Sequence, residues 1–116
     1  ILMINENFKV QFDSKIEVAI TKILENSHRT VFVLNKKKIV GVVSEGDILR
    51  SLIYNKNLKS RVDTIMNKSF IFLEKKNYKK AKNLFIKNYI PAIPVVNKKM
   101  ELIDIFTLEE YLKKTK

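Results

Sequence analysis

The sequence predicts an α+β fold made of two βαββα units related by an approximate two-fold axis. Three observations predict it. A pattern in residues 1–60 returns in residues 61–116, and internal repeats define an architecture before any single element does. Within each copy, short alternating or β-branched runs are interleaved with runs of helical spacing. Most of the helical runs are preceded by a residue able to cap them.

The repeat is one of pattern and not of letters. His28-Arg29-Thr30-Val31-Phe32-Val33-Leu34-Asn35 aligns with Ile90-Pro91-Ala92-Ile93-Pro94-Val95-Val96-Asn97, each pair 62 positions apart. The same offset pairs Phe8 with Phe70, Ala19 with Ala81 and Asn26 with Asn88. One extra turn residue then raises the offset to 63, where Ile39-Val40 meets Leu102-Ile103, Gly41 meets Asp104, Ser44 meets Thr107, and Asp47 meets Glu110.

In the first copy, Phe8, Val10 and Phe12 alternate with Lys9 and Gln11, as in a strand with one buried face. Asp13 or Ser14 is expected to cap the helix that follows, in which Ile16, Ala19, Ile20, Ile23 and Leu24 recur at helical spacing. Asn26 suits the helix end, where a left-handed conformation is often required. Thr30 to Leu34 is β-branched and apolar, hence a buried strand. Asn35-Lys36-Lys37-Lys38 is a polar hairpin turn, and Ile39 to Val43 is the returning strand. Ser44 opens a helix with Ile48, Leu49, Leu52 and Ile53 inside it.

The second copy repeats this order. Phe70 to Leu73 is predicted as a strand, and Asn77 as the cap of a helix containing Ala81, Leu84 and Phe85. Ile93 to Val96 and Leu102 to Phe106 are strands, and Thr107 opens the last helix with Leu108, Tyr111 and Leu112. A linker, 59–69, is assigned to the second copy, and its Val62, Ile65 and Met66 are apolar enough to pack on a sheet. A unit of roughly 60 residues is marginal alone. Each leaves an apolar sheet face uncovered, so the halves are expected to pack on each other. At ~25 cal/mol per Å², a few hundred Å² of apolar burial contributes several kcal/mol, comparable with the stability of a small domain.

Composition excludes several chemistries. Cys is absent and His28 is the only histidine, so thiolate nucleophiles, disulfides and Cys/His zinc sites are ruled out. No acid–base pair or activated nucleophile is visible, and no enzyme activity or catalytic cofactor is expected of this chain. The net charge of +11 raises nucleic acid as a partner. However, Arg occurs only at 29, 50 and 61, the lysines are scattered, and no basic helix stands out; nucleic acid is not expected. No run approaches the ~18 apolar residues that cross a bilayer, and the opening residues lack the basic region and apolar stretch of a secretory signal. A cytoplasmic location and no membrane partner are expected.

The pattern resembles a tandem pair of cystathionine-β-synthase-type (CBS) domains, a Bateman module, over almost the whole chain. The main stretch is Ile39-Val40-Gly41-Val42-Val43-Ser44-Glu45-Gly46-Asp47-Ile48-Leu49-Arg50, similar to the family's apolar-Gly-apolar-x-Ser/Thr-x-x-Asp pattern. Ile93-Pro94-Val95-Val96-Asn97 resembles the family's apolar-Pro-Val-Val-Asp strand. Val62-Asp63-Thr64-Ile65-Met66-Asn67 resembles the segment that opens the second domain.

The resemblance implies an adenine-nucleotide ligand in a cleft between the halves, of the AMP, ADP, ATP or S-adenosylmethionine kind. Asp47 would accept the two ribose hydroxyls, Ser44 would bond ribose or phosphate, and Gly41 would let a ligand approach the backbone. Val42 and Val43 complete this side, and the base would lie near Ile71, Ala92 and Ile93. The residues carry another reading too: Ser-x-x-Asp at a helix start is close to a capping box, which needs no ligand.

A second site departs from the pattern. Glu110 stands where the family has Asp, and Asp104 replaces the glycine. Its lining would be Thr107, Glu110 and Ile105, with Arg29 and Thr30 from the other half, and the capping reading is preferred there. Leu102-Ile103-Asp104-Ile105-Phe106 before an acidic helix start is similar to CBS pairs that precede bacterial sugar-phosphate nucleotidyltransferase domains. In those enzymes the catalytic Gly-rich loop follows soon after a segment like Tyr111-Leu112-Lys113-Lys114. The resemblance thus implies a regulatory module for an attached catalytic domain, dimerising with a second copy. A ligand-free structural dimerisation module is the alternative.

Overall fold

The computed structural model describes residues 4–114. Its elements run β1 (Lys9–Gln11), α1 (Ile16–Asn26), β2 (Thr30–Asn35), β3 (Lys38–Ser44), α2 (Glu45–Ile53), α3 (Tyr78–Ile86), β4 (Ala92–Val96), β5 (Leu102–Thr107) and α4 (Leu108–Lys114). The chain forms two compact units, Asn5–Phe70 and the residues from Ile71 onward together with Ile4. The fold is α+β, with one small sheet per unit.

In the first unit β1 pairs parallel to β2, and β2 antiparallel to β3. The core is set by spacing. Ile16, Ala19 and Ile23 form one stripe of α1 and meet Val31 and Val33 of β2, Val43 of β3 and Ile48 of α2. The linker completes this core: Val62 is fully buried, and Ile65 and Met66 pack against the same cluster. Asn67 N–H and C=O both pair with Val42, at 2.8 and 3.0 Å. Residues 62–67, which resemble the opening of the second domain, are therefore held by the first unit.

The start of α1 differs from expectation. Lys15 is the N-cap and makes no side-chain cap bond. The helix donors are met by backbone instead: Ile16 N–H donates to Ser60 C=O (2.8 Å) and Glu17 N–H to Leu58 C=O (3.0 Å), while Val62 N–H donates to Ser14 C=O (2.8 Å). A returning loop supplies the acceptors that Asp13 or Ser14 was expected to supply. At the other end, the left-handed residue is Ser27 (φ 59°) and not Asn26. Asn26 is buried; its amide donates to Asn7 C=O (2.8 Å) and Thr30 C=O (2.9 Å) and accepts from His28 N–H (2.7 Å). Phe8 lies in a 3-10 turn ahead of a strand of three residues, shorter than the alternation predicts.

In the second unit Ala81 and Phe85 of α3 pack with Ile93 and Val95 of β4, Phe106 of β5 and Tyr111 of α4. Phe85 and Phe106 meet edge to face with centroids 5.2 Å apart, a preferred aromatic geometry. Asn77 caps α3 as predicted, accepting from Lys80 N–H. The predicted strand Phe70–Leu73 shrinks to one parallel bridge, Leu73 with Val95. Of that run, Ile71 and Phe72 are exposed, so it has no alternating buried face with which to build a longer ladder.

The repeat holds at the level of single hydrogen bonds. Thr30 opposes Ser44 and Ala92 opposes Thr107; Val31 opposes Val43 and Ile93 opposes Phe106; Val33 opposes Gly41 and Val95 opposes Asp104. Both hairpins shift register at the same place, between Val33 and Leu34 and between Val95 and Val96. Each helix that follows donates its first N–H to the residue before the inner strand: Glu45 to Arg29 C=O and Leu108 to Pro91 C=O, both 3.1 Å. One pairing is corrected. Leu73 stands where Val10 stands, an offset of 63 rather than the 62 that joins Phe8 to Phe70.

Candidate functional site

Ser44 and Asp47 sit at the junction of β3 and α2. Because β3 ends at Ser44, its extended backbone turns directly into the helix and leaves the Ser hydroxyl over the first turn. The hydroxyl accepts from Asp47 N–H at 3.2 Å. In return Asp47 Oδ2 accepts from Ser44 N–H (2.8 Å) and from the Ser44 hydroxyl (2.9 Å). This is a complete capping box, and a carboxylate in a first helical turn is further favoured by the helix dipole. Asp47 Oδ1 points the other way, to Arg50 Nη2 at 2.7 Å. The Asp47 side chain is 18% exposed and that of Arg50 65%. One oxygen is thus fixed by the fold and the other is held by a mobile-stemmed, exposed cation.

The space beside Gly41 is filled from within its own unit. A Cβ there would lie 2.5 Å from Met66 Sδ and 2.9 Å from Met66 Cβ. The glycine therefore admits Met66, where the sequence expectation was an approaching ligand. Val42 is half-buried, with its backbone paired to Asn67. Val43 is fully buried in the first core.

The second motif is wired differently. Thr107 Oγ1 accepts from Glu110 N–H at 3.1 Å, which is half of a capping box. The Glu110 carboxylate does not complete it. Both its oxygens accept from Lys76 Nζ, at 3.0 and 2.7 Å. Lys76 Nζ also lies 3.2 Å from Asp104 Oδ2 and 5.7 Å from the centroid of the Phe106 ring. Burial pulls the Lys76 ammonium down, but its hydrogen bonds to Glu110 and Asp104 outweigh this and hold it above the ordinary lysine value. Sequence reasoning missed Lys76. The available signal was that Asp104 adds a carboxylate to a small unit that already has Glu110, which calls for a cation.

The remaining expected residues divide by unit. Ile71 is exposed, Ala92 and Ile93 are buried, and Ile93 belongs to the second core. Ile105 is buried on β5 beside the motif. Arg29 is exposed in the first unit, its carbonyl on Glu45 N–H. Thr30 is buried and donates its hydroxyl to Val43 C=O at 3.2 Å. The structure brings Gly41, Val42, Val43, Ser44, Asp47, Arg29 and Thr30 together in the first unit, and Ile105, Thr107 and Glu110 in the second. Among the described residues no helix is long and apolar enough to cross a membrane, and no group of three His, Asp or Glu is placed to hold a metal ion.

The CBS domain family model matches residues 1–54 and again 62–115. A CBS domain pair/ACT domain protein from Thermotoga maritima superimposes with a TM-score of 0.77 at 22% identity, covering 97% of this chain and 91% of that one. A CBS domain protein from Pyrobaculum aerophilum complexed with AMP gives 0.72 at 25% identity, covering 88% and 80%. CBSX2 in complex with AMP gives 0.76 at 23% identity, covering 96% and 89%. No curated protein sequence matches the chain.

Proposed function

The chain belongs to the CBS domain family as a tandem pair of CBS domains, and from that premise we propose that it is a regulatory module sensing an adenine nucleotide for an attached catalytic domain. The observation that carries this reading is the state of Asp47. Its Oδ2 is spent on the cap, while Oδ1 is held only by exposed Arg50. An exposed ion pair contributes about 0–1 kcal/mol, so two ribose hydroxyls can take that oxygen at little loss. The Pyrobaculum aerophilum protein complexed with AMP, at 25% identity, supports the ligand class. Ser44 would bond ribose or phosphate beside the first-turn N–H groups of α2, which favour anions. Val42 would contribute from β3. The part assigned to Ile71, Ala92 and Ile93 of the second repeat rests on the resemblance alone.

The test is a thermal-shift and calorimetry panel of AMP, ADP, ATP, GTP and S-adenosylmethionine. Stabilisation by an adenine nucleotide should grow as RT ln(1 + [L]/Kd), and Asp47→Ala should abolish it. Melting curves unchanged by every ligand would overturn the sensor reading. A bacterial sugar-phosphate nucleotidyltransferase in the cytoplasm is the proposed parent, on the likeness of Leu102–Phe106 and the acidic start of α4. The gene sequence beyond Lys116 tests it.

A structural dimerisation module is the second reading. The observation favouring it is a mostly apolar groove of about 320 Å³ between α1 and α2, lined by Ile20, Ile23, Leu24, Ile48, Leu49 and Leu52, with Glu45 its one charged residue. Leu24 and Leu49 there are 73% and 65% exposed, a surface that a second copy would cover. Light scattering of the wild type against Leu24→Glu/Leu49→Glu separates dimer from monomer. Dimerisation without any nucleotide response selects this reading.

A further inference from the structure

We infer that Lys76 is a built-in cationic ligand of the second repeat's acidic pair, Asp104 and Glu110, so that the Thr107–Glu110 motif takes no ribose and the chain binds a single nucleotide. The nucleotide clause rests on the proposed function; the lock itself does not.

Two matched positions differ between the repeats, and Lys76 joins the second pair. Where the first has Gly41, with Met66 against it, the second has Asp104. Where the first has Asp47, turned back onto Ser44, the second has Glu110. The added methylene carries the Glu110 carboxylate away from Thr107 and onto Lys76. The ammonium then bridges both acids at 2.7 and 3.2 Å. Each change alone would leave a fault: Asp104 without Lys76 is an unpaired half-buried carboxylate, and Lys76 without the acids is an ammonium over the Phe106 ring.

The two motifs also differ in what a ribose would have to displace. In the first, the displaced partner is Arg50, 65% exposed and able to turn into water. In the second it is Lys76, whose side chain is only 28% exposed and which uses both Glu110 oxygens. A ribose would exchange bonds charged at both ends for hydroxyl bonds charged at the carboxylate alone. Loss of the former would also strand a half-buried ammonium beside Asp104.

The experiment has two arms on the full chain. In the first, Lys76→Met, Glu110→Gln and the double variant are melted at neutral pH. A lock predicts that each single variant melts lower than wild type and that the double melts no lower than the worse single. Additive losses overturn the lock. In the second arm AMP is titrated calorimetrically into wild type, Asp47→Ala and the triple variant Lys76→Met/Asp104→Gly/Glu110→Asp. Expected are one AMP per chain for wild type, none for Asp47→Ala, and a second equivalent for the triple variant. Two AMP per wild-type chain, or AMP binding that survives Asp47→Ala, overturns the inference. Coupled melts with no AMP bound by any variant leave the lock standing and sink the proposed function instead.

Discussion

Met66 occupies the place where a side chain at position 41 would begin, its Sδ 2.5 Å from the missing Cβ. Gly41 lies on β3 and Met66 in the segment after Val62, so this contact fastens the linker to the first sheet. Gly41→Ala is expected to destabilise by about 1–3 kcal/mol through overpacking. Met66→Ala added to it should return part of that loss, since it removes Sδ and Cγ and leaves only Cβ, at 2.9 Å, in the way. Urea unfolding with unchanged m-values checks both. A harmless Gly41→Ala would mean that Met66 yields freely and that the glycine has some other reason.

The two caps differ in completeness, and stability should follow. Ser44→Ala removes a hydroxyl that both accepts from Asp47 N–H and donates to Asp47 Oδ2. Thr107→Ala removes a single acceptor for Glu110 N–H. Cap removal lowers stability by about 0.5–2 kcal/mol, and Ser44→Ala should fall in the upper half of that range and Thr107→Ala in the lower. Equal denaturation midpoints for the two variants would contradict the difference in wiring.

The hairpins were legible because their inner strands are continuously apolar and buried, with β3 alternating beside β2. Val31, Val33 and Val43 point to one core, as Ile93, Val95 and Phe106 do to the other. The one-residue step in offset lies in the turn, as read, while the register shift is shared by both hairpins at matching places. Less legible were contacts made by residues without periodic context. Asp13 and Ser14 looked like caps, yet the acceptors come from Leu58 and Ser60, far along the chain. Gly41 looked open because nothing local predicts Met66. Lys76 looked like one lysine among many, because an ion pair between residues 34 apart leaves no spacing signal. Ser44 and Asp47 were legible for the opposite reason, since a capping box is closed within four residues.

Lys76 makes stability pH-dependent at the alkaline end. Its pKa is raised in the folded chain above the ordinary 10.5. The stabilisation is therefore fully present below 10.5 and is lost as pH rises through the folded value. The difference in melting temperature between wild type and Lys76→Met should stay constant from neutral pH towards 10.5 and shrink above it. Melts in a series of alkaline buffers read this directly. A difference that widens with pH would reverse the sign and refute the assignment.

Asn26 and Asn88 are partners in the repeat with opposite fates. The Asn26 amide is buried and joins Asn7, His28 and Thr30 through three hydrogen bonds, tying the start of the unit to the turn before β2. Asn88 is exposed. Asn26→Ala strands the buried Thr30 carbonyl, which costs about 1–3 kcal/mol, and frees the part-buried Asn7 carbonyl and His28 N–H. Asn88→Ala should stay within about 0.5 kcal/mol of wild type, as surface substitutions do. Chemical denaturation of the pair tests this, and the first-unit variant should also speed amide exchange at His28. Equal effects at the two positions would show that the clamp adds nothing.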